Sequence, residues 1–148
     1  MAAEDAGTSL RATGLRAAGL RVTAPRLAVL AALQEHGHAD VDELVRTSRD
    51  RLGALSTQAV YEMLRVFVAA GMARRIEPAG RPALFEARVG DNHHHAVCRA
   101  CGVVADVDCA IGQPPCLSPS QTHGFVLDEA EVTFWGLCAS CATASAVS

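Results

Sequence analysis

Two Cys-x-x-Cys pairs constrain the fold of this chain more than any other sequence feature. Cys98 and Cys101 form the first pair, and Cys138 and Cys141 form the second. A two-residue gap lets both thiolates of a pair face the same ion, and four thiolates at about 2.3 Å close the tetrahedral sphere of structural zinc. We therefore predict that the two pairs share one structural zinc ion. The alternative is a redox switch, in which oxidation forms disulfides and ejects the zinc.

The remaining cysteines and the start of the chain bear on its compartment. Cys109 and Cys116 flank a proline-containing stretch, where a buried cysteine is usually a small apolar residue and a thiol switch is the alternative. Residues 1–20 interrupt their apolar side chains with arginine and glycine, so we expect neither a secretory segment nor a membrane span. We expect a cytoplasmic protein whose cysteine pairs bind metal rather than form a disulfide framework.

Charge is distributed unevenly along the chain. Residues 1–88 contain 12 arginines and 10 acidic residues, a net charge of +2, whereas residues 89–148 contain one arginine and six acidic residues, a net charge of −5. We predict a first domain over residues 1–88, a linker over 89–92 and a second domain over 93–148. The first can neutralise phosphates and the second can attract cations, although an ordinary solvated surface explains the split about as well.

Capping residues predict three helices in the first half. Thr23 caps a helix over about residues 24–36, Asp40 opens a capping box before the second helix, and Ser56 caps the third. Gly71 lies where a left-handed residue is wanted at the end of the third helix. Each segment carries an apolar stripe at helical spacing, so each is expected to pack one face into a core.

Two short strands follow the third helix, over residues 73–76 and 83–86, around the turn-forming stretch 78–82. Three helices followed by such a hairpin have the order of a winged helix-turn-helix domain. In the second half we predict strands over 95–99, 103–107 and 125–137, with a proline-rich loop and a short helix before the last. The small-residue tail 142–148 is expected to be frayed. The fold class is therefore α+β.

Three consecutive histidines lead into the first cysteine pair. Alternation along a strand places His93 and His95 on one face and His94 on the other. A carboxylate at the end of the wing strand and another on the strand after the first cysteine pair add oxygen ligands, and a histidine between the first two helices adds a fifth ligand. Such a mixed site suits iron(II), manganese(II) or zinc rather than copper(I). The alternative is a solvated histidine loop. The candidate regulatory site comprises His38, Glu86, His93, His95 and Asp106.

With these motifs in order, the chain resembles the ferric uptake regulator (Fur) family over about residues 10–141. The matching segments are 18–26 (AGLRVTAPR), 56–61 (STQAVY), 85–86 (FE), 93–102 (HHHAVCRACG) and 135–141 (WGLCASC). The stretch 91–109 looks most like the actinobacterial catalase-linked regulators. The resemblance implies an N-terminal winged helix-turn-helix, followed by a small α/β dimerisation domain with a four-cysteine zinc site. It also implies a homodimer that binds palindromic double-stranded operator DNA when its sensing site holds metal.

The same resemblance implies a repressor of oxidative-stress genes, rather than an enzyme, with no membrane association and no small organic substrate. In the peroxide-sensing branch, bound iron(II) reacts with peroxide and a ligating histidine is oxidised; the candidates here are His38 and His93. Glu86 stands where the peroxide sensors usually have aspartate, which favours ordinary iron sensing. Gln113 and Ala130 fall near the ligand positions of a second family metal site, so we do not predict that site.

Residues of the first half are expected to contact DNA. The third helix, residues 56–70, is expected to enter the major groove, with wing arginines on phosphates. Tyr61 is either a DNA contact or a packed core aromatic, and Glu62, where the family commonly has arginine, would repel phosphate. The candidate DNA contacts are Arg21, Arg26, Thr57, Gln58, Tyr61, Arg65, Arg74, Arg75 and Arg81.

Two classes of zinc enzyme do not match these motifs. A zinc hydrolase needs an open coordination position, and a zinc deaminase needs a His-x-Glu before its Cys-x-x-Cys, neither of which the sequence offers. A zinc-ribbon interaction module without sensing and a zinc- or nickel-responsive uptake regulator remain alternatives. In the favoured interpretation, one ion bridges the two domains and fixes the angle between them.

Overall fold

The computed structural model describes residues 2–91, 93–109, 118–128 and 130–146. The chain divides into two compact units, Met1–Gly90 and Asp91–Ser148. The first unit contains α1 (Ala2–Ala17), α2 (Ala24–His36), β1 (His38–Ala39), α3 (Val41–Leu52), α4 (Thr57–Ala69), β2 (Arg74–Ile76) and β3 (Leu84–Glu86). The second contains β4 (His93–Cys98), β5 (Val104–Asp108), β6 (Thr133–Gly136) and α5 (Ala139–Ala146).

The three helices predicted from capping residues are confirmed. The Thr23 hydroxyl accepts the Arg26 amide at the start of α2, at 3.4 Å. Asp40 forms the complete capping box of α3, and the Ser56 hydroxyl accepts an amide in the first turn of α4. Gly71 follows α4 with a φ of +67°, the left-handed conformation that glycine adopts without steric cost. Local side-chain chemistry thus fixes where these helices begin and end.

An additional helix, α1, precedes the three that were predicted. Leu15 is fully buried and joins the first unit's core with Leu33 and Phe67, while Arg11 Nη1 donates to Gln34 Oε1 at 3.0 Å. Glycine interrupts the apolar pattern of α1, so its sequence gave little periodic signal. Burial of each large core side chain contributes about 1.5–3 kcal/mol. Packing against α2 therefore stabilises a helix that its own sequence barely indicates.

The wing sheet has three strands rather than two, in the order β1–β3–β2. The added strand β1 is two residues long and contains His38, which was expected in a turn. Both neighbours pair antiparallel with β3, so Glu86 lies opposite His38 on one side and opposite Arg74 on the other. This register places a histidine, a carboxylate and an arginine in one row across the sheet.

In the second unit, a three-stranded sheet has the order β5–β4–β6, with β4 antiparallel to β5 and parallel to β6. The strand expected over 95–99 begins two residues earlier, and the strand expected over 125–137 is confined to Thr133–Gly136. The tail expected to be frayed instead forms helix α5 through Ala146. The predicted short helix before the last strand, with Cys116 and Gln113, lies outside the described residues.

The α+β fold class is therefore confirmed, with four helices in the first unit among its described residues where three were expected. Among the described helices, none combines the length and apolarity that crossing a membrane requires.

Candidate metal centres and nucleic-acid interface

The four paired cysteines converge within the second unit. Cys98 ends β4, and because β4 and β6 run parallel with Cys98 opposite Gly136, Cys138 follows β6 beside it. All four Sγ atoms lie within 4.8 Å of one another, and the Sγ atoms of Cys101 and Cys138 are 3.8 Å apart. Four sulfurs at about 2.3 Å from a central ion define a tetrahedron with edges of about 3.8 Å. The donor set and its spacing therefore fit a closed tetrahedral zinc site.

Backbone amides around the cluster favour negative charge on sulfur. The Cys138 amide donates to Cys98 Sγ at 3.3 Å. Backbone N–H groups of Cys101 and Cys138 lower the pKa of the Cys98 thiol to about 5. Hydrogen bonds with the Cys138, Cys101 and Cys98 side chains raise the pKa of the Cys141 thiol to about 12. At neutral pH the metal-free cluster thus holds a thiolate at Cys98 and a proton on Cys141 that a metal must displace.

Outside this cluster, the described part of the chain contains one more cysteine, Cys109, which follows β5 and is partly buried. The four clustered cysteines are in the reduced state, so their sulfurs are available to a metal ion.

A second group of candidate ligands lies on β4 and β5 of the same unit. His93 and His95 are both buried and face the same side of the sheet, with ring centroids 5.0 Å apart. Their Nε2 atoms lie 3.9 Å and 3.8 Å from Asp106 Oδ1. These separations are too long for hydrogen bonds but lie within the about 4.2 Å that two ligands on opposite sides of one ion can span. The three donors fit a partial coordination sphere for a divalent cation.

Asp91 contacts a candidate ligand and was not singled out by the sequence analysis. Its Oδ1 atom lies 2.7 Å from His93 Nδ1, so the carboxylate binds the ring nitrogen that faces away from Asp106. A carboxylate on the far nitrogen of a ligating histidine orients the ring and increases its basicity. An aspartate two residues before a histidine, on the same side of an extended segment, is the sequence signal that indicates such a pair.

The other two predicted regulatory residues meet within the first unit. His38 Nε2 lies 2.9 Å from Glu86 Oε2, across the β1–β3 pair. Glu86 is only 1% exposed, and Arg74 Nε lies 4.0 Å from its other oxygen, Oε1. A buried carboxylate is costly unless cations or hydrogen-bond donors surround it. This pair offers one nitrogen and one oxygen atom that could bind a metal ion.

The face of α4 that was expected to contact DNA is exposed. Thr57, Gln58 and Arg65 are exposed, and 47% of Tyr61 is accessible, so Tyr61 is not a packed core aromatic. Glu62 lies among them, accepting from Gln58 Nε2 at 3.2 Å and pairing with Arg65 at 3.4 Å. The acidic side chain is thus held by its helical neighbours rather than projecting alone toward a phosphate.

The other candidate DNA contacts differ in their surroundings. Arg21 and Arg81 are exposed, and Arg26 Nη1 donates to the Arg21 carbonyl at 2.9 Å. Arg75 is exposed and forms an ion pair with Glu77. Arg74, in contrast, has a side chain only 22% exposed and directed at Glu86. The guanidinium of Arg74 therefore belongs to the surroundings of the His38–Glu86 pair, which the sequence analysis did not anticipate.

Comparisons with known proteins connect these centres to a family. The model described as "Ferric uptake regulator family" matches residues 17–134. The "Transcriptional regulator FurA" of Mycobacterium tuberculosis is 56% identical over 120 residues, which cover 81% of this chain and 82% of that protein. "Ferric uptake regulation protein 1" of Mycolicibacterium fortuitum is 55% identical over 114 residues, which cover 77% of this chain and 71% of that protein.

Solved structures agree in fold. The ferric uptake regulator of Vibrio cholerae matches with a TM-score of 0.65 and 27% identity, covering 86% of this chain and 98% of that one. A manganese-containing ferric uptake regulator of Pseudomonas aeruginosa matches with a TM-score of 0.64 and 27% identity, covering 87% and 98%. A zinc uptake regulator solved with zinc and DNA matches with a TM-score of 0.66, at 18% identity, over 94% of this chain and 95% of that one.

Proposed function

Because this chain belongs to the ferric uptake regulator family of metal-responsive transcriptional regulators, we propose that it represses oxidative-stress genes of the catalase type in response to iron or peroxide. The repressor is a cytoplasmic homodimer that binds a palindromic operator. The observation that carries the sensing role is the donor set of His93, His95 and Asp106, which is separate from the four cysteines and chemically different from them.

The four-cysteine cluster is proposed to hold structural zinc. Its sulfur spacing fits a tetrahedral zinc ion, and four thiolates leave no position open for a substrate or a signal. Structural zinc sites contribute directly to folding, so this centre is expected to keep its metal while the signal varies.

The regulatory centre is proposed to take His38 and Glu86 from the first unit and His93, His95 and Asp106 from the second. The ligands of either unit alone do not complete the coordination sphere of a cation such as iron(II) or manganese(II). Binding of one cation to this donor set is proposed to favour the state that binds DNA. A preference of about 1.4 kcal/mol changes a population ratio tenfold, so a few such contacts suffice for a switch.

Operator recognition is proposed to use the exposed face of α4 and the arginines around it. Thr57, Gln58, Tyr61 and Arg65 are the candidates for base edges or phosphates in the major groove. Arg21, Arg26, Arg75 and Arg81 are proposed to contact the backbone, which positions the protein without reading sequence. The placement of Arg74 beside Glu86 argues against a phosphate contact for that residue.

Iron(II), when bound, would supply reactivity toward peroxide at this centre. The residues that hold it are then the ones exposed to oxidation, and His38 and His93 are the candidates. Loss of either imidazole removes one ligand and weakens metal binding. Peroxide is therefore expected to release the protein from its operator.

The decisive experiment measures operator affinity of the zinc-loaded dimer, with and without added manganese(II) or iron(II), in wild type, His93→Ala and His36→Ala. His36 is an exposed histidine at the end of α2 and serves as the matched control. Added metal should tighten binding at least tenfold, about 1.4 kcal/mol, in wild type and His36→Ala, but not in His93→Ala. Peroxide should then release only the iron form.

Two other results would change the assignment. If operator affinity does not change with added metal but falls when the thiols are oxidised, the cysteines are the sensor and the histidine centre is not. If zinc in excess of the structural ion tightens binding while iron(II) and manganese(II) do not, the chain is a zinc-responsive uptake regulator, since the same donors accept zinc.

A further inference from the structure

The row His38–Glu86–Arg74 across the wing sheet contains a cation beside a candidate metal ligand. His38 and Arg74 lie opposite Glu86 on the two strands that flank it. Side chains directly opposite one another in an antiparallel sheet lie on the same face and interact. Glu86 therefore has a basic side chain on each side, both within the first unit.

The two carboxylate oxygens of Glu86 are divided between these neighbours. Oε2 lies 2.9 Å from His38 Nε2, and Oε1 lies 4.0 Å from Arg74 Nε. Since Glu86 is 1% exposed, water screens it poorly, and a permanent positive charge at this distance stabilises its ionised form. An arginine keeps its charge at all physiological pH values, so it compensates Glu86 whether or not His38 is protonated.

Arg75, the next residue on β2, shows that this placement is specific. Its side chain is 46% exposed and pairs with Glu77 rather than Glu86. Alternation along the strand points the two arginines to opposite faces of the sheet. One arginine is thus available at the surface, while the other faces the buried carboxylate.

We propose that Arg74 is the resident counterion of Glu86, and that it competes with the regulatory cation for this carboxylate. A divalent cation bound to Glu86 either displaces the guanidinium or binds against its positive charge. Either effect weakens metal binding. Arg74 therefore sets the metal concentration at which the protein changes between its metal-free and metal-bound states. This inference rests on the proposed function, because it requires Glu86 to be a ligand of the regulatory metal.

The test measures manganese(II) binding to the zinc-loaded chain without DNA, from the electron paramagnetic resonance signal of the free ion. Arg74→Gln removes the charge and is expected to tighten manganese binding about tenfold, since a unit charge about 4 Å from a poorly screened carboxylate has a large effect. Arg74→Lys keeps the charge and should bind close to wild type. Arg46→Gln, at an exposed arginine of α3 outside the proposed DNA contacts, is the matched control and should not change manganese affinity. Arg74→Met, which also removes the charge, must tighten binding as Arg74→Gln does, so a folding defect of one variant is recognised.

A merely structural role for Arg74 predicts the opposite sign, because damage to the sheet would weaken metal binding. Unchanged or weaker binding in the charge-removing variants overturns the inference, as does equal tightening in Arg74→Lys. Glu86→Gln and His95→Ala distinguish a wrong counterion role for Arg74 from a misplaced regulatory centre. If both lose manganese binding while Arg74→Gln is unchanged, only the counterion role is wrong. If both keep wild-type binding, the regulatory centre itself is misplaced and the proposed function fails with it.

Discussion

Strand β4 carries candidate metal ligands of two different kinds at its two ends, and the contrast between them separates structure from sensing. At its end, Cys98 joins three other thiols in a closed set of one donor type. At its start, His93 and His95 face Asp106 in an incomplete set of nitrogen and oxygen. Closed thiolate sites hold zinc tightly, whereas mixed and incomplete sets exchange divalent ions. In the proposed function, one strand therefore carries ligands of both a permanent and an exchangeable centre.

The two centres also compensate charge by different means. Backbone amides of Cys101 and Cys138 stabilise the Cys98 thiolate, so the negative charge is supported by groups that cannot move away. Around His93 and Glu86 the neighbouring polar groups are side chains. Asp91 contacts His93, and Arg74 lies near Glu86. Side chains can change partners at low cost, which suits a centre that responds to a signal.

The largest expected effect comes from breaking the cysteine centre. Cys98→Ser should abolish stoichiometric zinc binding and unfold the second unit, because structural zinc contributes about 10–16 kcal/mol of binding free energy in small zinc domains. Zinc content by atomic absorption and the loss of amide exchange protection in residues of β4 measure both effects. Cys109→Ser, outside the cluster, is the matched control and should retain zinc. A folded second unit without zinc would show that the cluster is not structural.

A smaller effect is expected at the exchangeable centre. Asp91→Asn should weaken manganese(II) binding about 10–100-fold, since partners of ligating histidines typically have effects of this size. Zinc content and the melting temperature should stay unchanged, because Asp91 contacts His93 and not the cysteines. Asp42→Asn, an exposed acid in the first turn of α3, is the control. Equal losses in both variants would mean that general surface charge, rather than the orientation of His93, attracts the metal.

The smallest effect is a difference in proton release. Near pH 7, about two pH units above the lowered pKa of Cys98, this thiol is already ionised, whereas Cys141, with its raised pKa, is still protonated. Zinc binding therefore displaces a proton from Cys141 but not from Cys98. Titration of metal-free wild-type protein with zinc at pH 7 in an indicator solution should therefore release no more than about three protons per zinc ion, because Cys98 has none to give.

The sign of the pH dependence follows from the same shifts. In the metal-free protein, the stability that the Cys98 thiolate contributes is fully present above the ordinary thiol value of 9.0 and is lost as pH falls through about 5. The contribution of protonated Cys141 is fully present below 9.0 and is lost as pH rises through about 12. Release of about four protons per zinc ion at pH 7 would contradict this assignment.

Sequence alone determined the features of this protein that depend on neighbours a few residues away. The caps at Thr23, Asp40 and Ser56 act within one helical turn, so they predicted the starts of three helices. The Cys-x-x-Cys spacing predicted a shared metal site, because a two-residue gap fixes the geometry of each pair. Alternation along β4 predicted that His93 and His95 share a face, as their ring contact requires.

Only the tertiary structure decided what depends on pairing between distant segments. Helix α1 is stabilised by the burial of Leu15, and the two-residue strand β1 exists because β3 offers it hydrogen-bonding partners. The same pairing places His38 and Arg74 on either side of Glu86. Sequence patterns record local preference, whereas the register between strands is set by the packing of the whole unit. The sequence therefore predicted Arg74 as a phosphate contact on the wing, and only the pairing of β2 with β3 placed it beside Glu86.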